Sequence, residues 1–265
     1  MFGPQEAGVA VDFERMTADP INIERLERER DFHDDRFSDD SERESTGKFY
    51  EVVANGFDHY RDAVLRQSSG DTLEYGCGTG ALAFDLAEQG SNSVAIDISP
   101  VAISEAEQVA HARGLTARFE EMNAEAMTFD NDSFDLVFGS GILHHLDMER
   151  ATQEVIRVLR PGGRAVFIEP LGYNPIINAY RRVTPTMRTE DEHPLLRSDL
   201  ELLESYASSF SADFYGLAAL AASPFLSTPV GGTLLAFGQR LDRALLGVPN
   251  VQLLAWIVVI ELTAP

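Results

Sequence analysis

From Asp71 onward the apolar positions alternate between two rhythms. Short runs rich in β-branched and aromatic residues occur at Thr72–Tyr75, Ser93–Asp97, Ala117–Glu120, Phe134–Phe138 and Arg164–Glu169. Between them, Ala81–Gln89, Pro100–Arg113 and Met148–Leu159 carry apolar residues at helical spacing. Gly90 and Gly114 fall where two of these helices should stop. Strands alternating with helices imply βαβ units, right-handed crossovers and a parallel sheet covered on both faces. Leu253–Leu262 is a further strong β run. No internal repeat interrupts the pattern.

The flanks read differently. Ile23–Lys48 is dense in charge with a few apolar residues, among them Leu26, Phe32 and Phe37, which predicts one or two amphipathic helices lying over something else. A helix from Lys48 to Gln67 follows, ended by Ser68-Ser69-Gly70, so residues 1–67 form a helical cap before a domain at 68–265. Leu171–Pro194, rich in Pro, Asn and Arg, reads as a long functional loop or cap. Residues 214–239 contain no charged side chain over 26 positions. That length could span a bilayer, but Pro224, Pro229, Gly231 and Gly232 would leave backbone groups unpaired in lipid. We therefore expect a buried or substrate-facing cap and no integral membrane span, with peripheral membrane contact the second reading.

Composition narrows the function. The 265 residues carry 43 Asp+Glu against 21 Lys+Arg, a formal charge of −22, which repels phosphate backbones and argues against a nucleic-acid partner. Cys77 is the single cysteine, so no internal disulfide or cysteine-based zinc site can form. Met1–Asp19 has no basic segment followed by an apolar run. A cytoplasmic monomer or homodimer is expected.

Between the first strand and helix lies Glu74-Tyr75-Gly76-Cys77-Gly78-Thr79-Gly80. Glycines let the backbone turn tightly and approach a ligand, and the helix start offers free N–H groups. Gly76-x-Gly78-x-x-Ala81 also fits a dinucleotide pattern, with Asp97 ending the next strand, so an NAD-dependent oxidoreductase competes at this point.

Three further segments separate the readings. The glycine loop closely resembles the first motif of class I S-adenosylmethionine-dependent methyltransferases. Asn123-Ala124-Glu125-Ala126 resembles that family's stretch after strand 3, and Phe134–Leu146 (FDLVFGSGILHHL) its strand 4 and following turn. Arg160-Pro161-Gly162-Gly163 resembles its turn before strand 5. The likeness covers about residues 70–170 in the family's order. It implies an α/β, Rossmann-like fold with a mostly parallel seven-stranded sheet and an antiparallel last strand. The final strands would be about Ala212–Leu217 and Ala255–Leu262, with the uncharged run an insertion (214–250) between them and Leu241–Leu246 a short helix at its end.

By the same resemblance the cofactor is S-adenosylmethionine. Asp97 would accept the ribose hydroxyls, Gly76 and Ser140 would offer backbone groups to the methionine ammonium, and Ile98 would pack on the adenine. Asn123, where the family usually has Asp, would meet the adenine amino group, with Ala124 giving its N–H. Glu74, Cys77 and Gly78 complete the loop, and Tyr50 stands with Phe49 at its mouth. Cys77 reads as a packed small side chain and Glu125 as a solvated first-turn residue.

Methyl transfer from a sulfonium is an in-line displacement, so the protein mainly aligns the acceptor, with a base only where the acceptor must lose a proton. His144 and His145 follow strand 4 at the carboxyl edge, where ligands bind in open α/β sheets. His33 and His193 lie in the two capping segments, and Glu169 ends strand 5 facing the same crevice; His59 and His111 read as helix-surface residues. His33, Asp34, His193, Glu192 and Glu169 could in principle meet around Mg²⁺, but no local spacing demands it and no metal is expected. The expected function is methyl transfer to a small, apolar acceptor, at oxygen before nitrogen or carbon. The alternatives are a cofactor-binding module without catalysis and the NAD-dependent oxidoreductase.

Overall fold

A computed structural model describes residues 23–38, 50–66, 69–184, 189 and 191–265. Phe49, Ser68, Arg188, Glu190 and the segments 1–22 and 39–49 lie outside the described residues, as does the side chain of Phe37. A seven-stranded sheet runs in the order β3-β2-β1-β4-β5-β7-β6. Its strands are β1 (Asp71–Tyr75), β2 (Asn92–Asp97), β3 (Arg118–Glu121), β4 (Phe134–Ser140), β5 (Leu159–Pro170), β6 (Ser209–Tyr215) and β7 (Ile257–Thr263). β1 pairs in parallel with β2 and β4, and β4 with β5, whereas β7 is antiparallel to both β5 and β6. The expected seven-stranded sheet with an antiparallel last strand is thus observed.

The helices are α1 (Ile23–Ser38), α2 (Ala54–Leu65), α3 (Ala81–Glu88), α4 (Pro100–Arg113), α5 (Met148–Val158), α6 (Pro175–Val183), α7 (Arg197–Tyr206) and α8 (Gly231–Leu245). One face of the sheet packs on α5 and α7 through Val155, Leu159, Leu200, Val258 and Ile260. The other buries Val64, Leu86, Leu136, Phe138 and Val259 beneath α2 and α3. α4 begins where the sequence predicts because Ser99 caps it, its side chain accepting from Ala102 N, and Pro100 takes the first helical position. It ends at Gly114 in the left-handed conformation.

Two local expectations are corrected. Leu171–Pro194 is not a loop throughout, since α6 fills its middle. Asn174 accepts from the N–H groups of Ile176 and Ile177, and Pro175 follows it, an Asn-Pro helix start that was open to reading. The helix expected at Leu241–Leu246 instead begins at Gly231, because the two glycines sit in its first turn rather than its interior. A Cβ on Gly231 would lie 2.2 Å from the Phe225 carbonyl, so only glycine permits that close approach.

Residues 216–256 form an insertion between β6 and β7, as expected. Its inner layer is core: Ala219, Leu220 and Ala222 are buried, and Asp242 accepts from the N–H groups of Leu217, Ala218 and Ala219. The outer face of α8 is not buried, and Val230, Leu234, Phe237, Leu241 and Leu245 are exposed. No helix among the described residues is long and apolar enough to cross a membrane.

Candidate active site

β5 and β6 end, and β7 begins, at the same edge of the sheet where β1, β2 and β4 end. The insertion, α6 and the loop containing Thr189 therefore all spring from the carboxyl edge, the binding edge of an open α/β sheet.

The glycine loop is shaped by close approach. Gly76 has φ +70°, and a Cβ there would meet Ile142 Cδ1 at 2.6 Å. Cys77 N donates to the Ile96 carbonyl at 2.9 Å, which ties the loop to β2. Asp97 completes the tie: its Oδ2 accepts from Gly78 N at 2.7 Å and its Oδ1 from Ser99 N at 2.9 Å. Burial pushes the Asp97 carboxyl above its ordinary range, although these N–H groups hold it back. Glu74 points inward, accepting from Ala83 N at 2.8 Å, and burial raises its pKa to about 8. It braces β1 against α3. Burial also pushes the Cys77 thiol well above its usual range, which keeps it from acting as a thiolate.

Asn123 and Ala124 follow β3. Asn123 Oδ1 accepts from Glu125 N at 2.9 Å, and the Ala124 carbonyl accepts from Tyr75 Oη at 2.6 Å. Ser140 is exposed at the end of β4, and Ile98 is half-buried beyond β2. Tyr50 is exposed on the rim, its ring 5.3 Å from that of Trp256, just before β7. Glu125 corrects the sequence reading. It is 3% exposed, accepts from Asp147 N at 2.8 Å and pairs with Arg25, so it joins α1 to the domain rather than facing solvent.

The histidines divide. Glu169 Oε1 accepts from Ile142 N and Leu143 N at 2.9 and 2.8 Å, while its Oε2 meets His144 Nδ1 at 2.7 Å. Nδ1–H thus donates to Glu169, and Nε2 lies 3.9 Å from Glu192 Oε1. His145 is buried beside it, the rings 4.2 Å apart. His33 comes down from α1 to within 5.2 Å of the His145 ring. His193 keeps only a backbone tie to this group, its N–H donating to the His144 carbonyl at 2.8 Å while its side chain is exposed. His59 is not a simple surface residue, because Nδ1 bonds Tyr215 Oη at 2.7 Å.

Sequence reasoning missed the polar face of α1. Arg25 donates to the His145 carbonyl at 2.7 Å, Glu29 Oε2 lies 3.0 Å from His145 Nδ1, and Thr189 Oγ1 donates to Glu29 Oε1 at 2.5 Å. Asp34 reaches Ser99 Oγ beside the Asp97 turn. Burial alone would raise the Glu29 pKa, but His145, Thr189 and His33 together hold it below its ordinary value. Arg25, Glu29 and His33 recur every four residues, a one-face stripe that polar identity conceals from a search for apolar periodicity.

Residues 73–167 match the family model of a methyltransferase domain. Over that stretch the chain is similar to S-adenosylmethionine-dependent methyltransferases. The chain is 39% identical to a demethylmenaquinone methyltransferase of Thermus thermophilus over 41% of its own length and 50% of the relative's. It is 32% identical to a ubiquinone/menaquinone biosynthesis C-methyltransferase of Zymomonas mobilis over 50% of this chain and 64% of that one. It thus spans about half to two thirds of these curated relatives. Among solved structures, phosphoethanolamine N-methyltransferase 2 of Haemonchus contortus aligns with TM-score 0.56 at 15% identity, over 77% of this chain and 52% of that one. A [4+2]-cyclase aligns with TM-score 0.53 at 20% identity, over 78% and 80%. These two likenesses concern the fold alone. The antiparallel β7 between β5 and β6 also departs from the six-stranded 3-2-1-4-5-6 order of nicotinamide enzymes, which removes the structural basis of the dehydrogenase reading.

Proposed function

We propose that the protein transfers the methyl group of S-adenosylmethionine to a small apolar acceptor. The observation that carries this is Asp97: a buried carboxylate at the end of β2, bonded to the glycine loop after β1, within the segment that matches the methyltransferase domain. The nucleoside lies along the carboxyl ends of β1 to β3, where Asp97 accepts ribose hydroxyls, Ile98 packs on the base and Asn123 and Ala124 meet its polar edge. The methionine part runs past Gly76, Cys77 and Gly78 towards Ser140. Tyr50, stacked on Trp256, flanks the mouth, and Glu74 shapes the loop without touching the ligand.

The acceptor enters beneath the caps, beside the 143–145 turn. His144, oriented by Glu169, accepts a proton there when the acceptor is a hydroxyl or a carbon activated by one; the ring of His145 lies beside it, and His193 contributes a backbone tie. Oxygen is the preferred acceptor atom. A ring carbon next to a phenolic hydroxyl is the second choice, favoured by relatives named for quinone biosynthesis. An apolar acceptor accords with the Tyr50–Trp256 ring pair at the rim.

Calorimetry with S-adenosylmethionine, S-adenosylhomocysteine and NAD tests the cofactor, and mass spectrometry of S-adenosylhomocysteine formed with a panel of lipophilic phenols, quinols and polar amines tests the acceptor. The expected result is saturable binding of the first two ligands, none of NAD, and turnover confined to lipophilic hydroxylated compounds. Absence of S-adenosylmethionine binding refutes the function; turnover of polar amines alone refutes the acceptor class.

A further inference from the structure

Where α1 crosses the 143–145 turn, three side chains converge that methyl transfer itself does not require. Glu29 Oε2 is 3.0 Å from His145 Nδ1 and 3.7 Å from His33 Nε2, and the donor atoms of all three lie within 4.8 Å of one another. Around a first-row divalent ion with bonds of about 2.0–2.1 Å, neighbouring ligand atoms stand about 3.0 Å apart in octahedral and about 3.4 Å apart in tetrahedral geometry. The observed spacings bracket those values, so small rotamer shifts suffice. Glu29 and His33 are four apart on one helix, which places both on one face, and His145 supplies the third ligand from the domain.

Two further observations point to a ligand. Glu29 Oε2 and His145 Nδ1 are buried, with their side chains 5% and 6% exposed, and their 3.0 Å ion pair lacks hydrogen-bond geometry. A cation coordinated by both atoms would satisfy them. The other oxygen of Glu29 is fixed by Thr189 Oγ1 at 2.5 Å, the outer contact that orients a ligating carboxylate and leaves its partner oxygen free to bind.

We propose that Glu29, His33 and His145 form a divalent metal site that clasps α1 onto the methyltransferase domain. Two imidazoles and one carboxylate suit a late first-row ion such as Zn²⁺, whereas Mg²⁺ and Ca²⁺ take all-oxygen shells. Three protein ligands leave at least one position for water or for an acceptor oxygen. A second grouping, His144, His145 and Glu192, shares His145 and lies alongside, so an ion here would sit next to the acceptor space. The site does not depend on methyl transfer and can be tested without it.

The experiment titrates chelator-treated protein with Zn²⁺ by calorimetry and with Co²⁺ by visible absorption, alongside the His33→Ala, Glu29→Gln and Thr189→Val variants. His111→Ala serves as a control, since His111 is exposed on α4. One Zn²⁺ per chain should bind with a Kd below ~10 μM, Co²⁺ should give ligand-field bands, and excess Mg²⁺ should not compete. His33→Ala and Glu29→Gln should each weaken binding at least ~10-fold, Thr189→Val by ~10-fold, and His111→Ala not at all. Zn²⁺ should also slow amide exchange across residues 23–38. Circular dichroism checks folding; should Glu29→Gln unfold, His33→Ala, altering a half-buried helix side chain, decides alone. No saturable binding, or binding unchanged in His33→Ala, overturns the proposal.

Discussion

Asp97→Ala separates cofactor recognition from loop architecture. The carboxylate is 9% exposed and receives two backbone N–H groups, from Gly78 at 2.7 Å and Ser99 at 2.9 Å. Removing it leaves the buried Ser99 N–H without its acceptor, at a cost of about 1–3 kcal/mol to the free protein; Gly78 is partly exposed and recovers water. If the carboxylate also holds the ribose, the complex loses a further charge-assisted pair, again about 1–3 kcal/mol, or about 5–150-fold in Kd. Asp97→Asn offers one oxygen and one amide, so it satisfies one backbone N–H and sets a donor against the other. It should fall between wild type and alanine. Urea denaturation of the free variants measures the first cost, and calorimetry with S-adenosylhomocysteine and with adenosine measures the second. Both ligands carry the ribose, so both should weaken by a similar factor. Lowered stability with unchanged affinity for either ligand would show Asp97 to be a brace for the turn, and the ribose assignment would fall.

Glu169→Gln keeps an acceptor for Ile142 N and Leu143 N but turns an amide donor towards His144 Nδ1, so the imidazole proton should move to Nε2. Nitrogen NMR should report the changed tautomer, with stability down by about 1–2 kcal/mol, cofactor affinity retained and turnover of hydroxylated acceptors reduced; an unchanged tautomer sinks this account. Glu74, whose pKa is raised to about 8 by burial, binds its proton more tightly in the folded than in the unfolded chain. Stability therefore falls as pH rises from the unfolded value of about 4.3 through 8, and Glu74→Gln should gain on wild type across that interval by at most a few kcal/mol. Urea midpoints that stay parallel between pH 5 and 8 for the two proteins would contradict it.

The sheet was legible because its signals are local and repeated. β2 and α4 were readable from Ser93–Asp97, the Ser99-Pro100 start and Gly114, each of which has one favourable backbone role. The insertion was legible as an insertion, yet its orientation was not. Ala219, Leu220 and Ala222 pack inward while Leu234, Phe237 and Leu241 face out, and an uncharged run gives no periodic polar face by which to tell the sides apart. α1 fails in the opposite sense. Its docking residues Arg25, Glu29 and His33 are charged or titratable, so a rule that assigns polar residues to solvent hides the buried face. Glu125 was misread for the same reason, because its partner Arg25 lies 100 positions away in sequence.

The polar docking of α1 bears on how this fold acquires its chemistry. A fold does not by itself decide a reaction. The segments that spring from the carboxyl edge give this chain its individual character. Here those segments have contrasting character. α1 presents ionisable groups to His145 and Ser99, α6 and α8 present exposed apolar residues, and Tyr50 pairs with Trp256 at the rim. An apolar helix face would grip a smooth core surface through non-directional contact over many positions. A helix held by Arg25, Glu29 and Asp34 is fixed by a few directional bonds, each sensitive to charge at its partner. Loss of one such partner, as in Asp34→Ala or Glu29→Gln, should therefore loosen α1 while the hydrophobic core beneath it stays folded, which amide exchange over residues 23–38 measures.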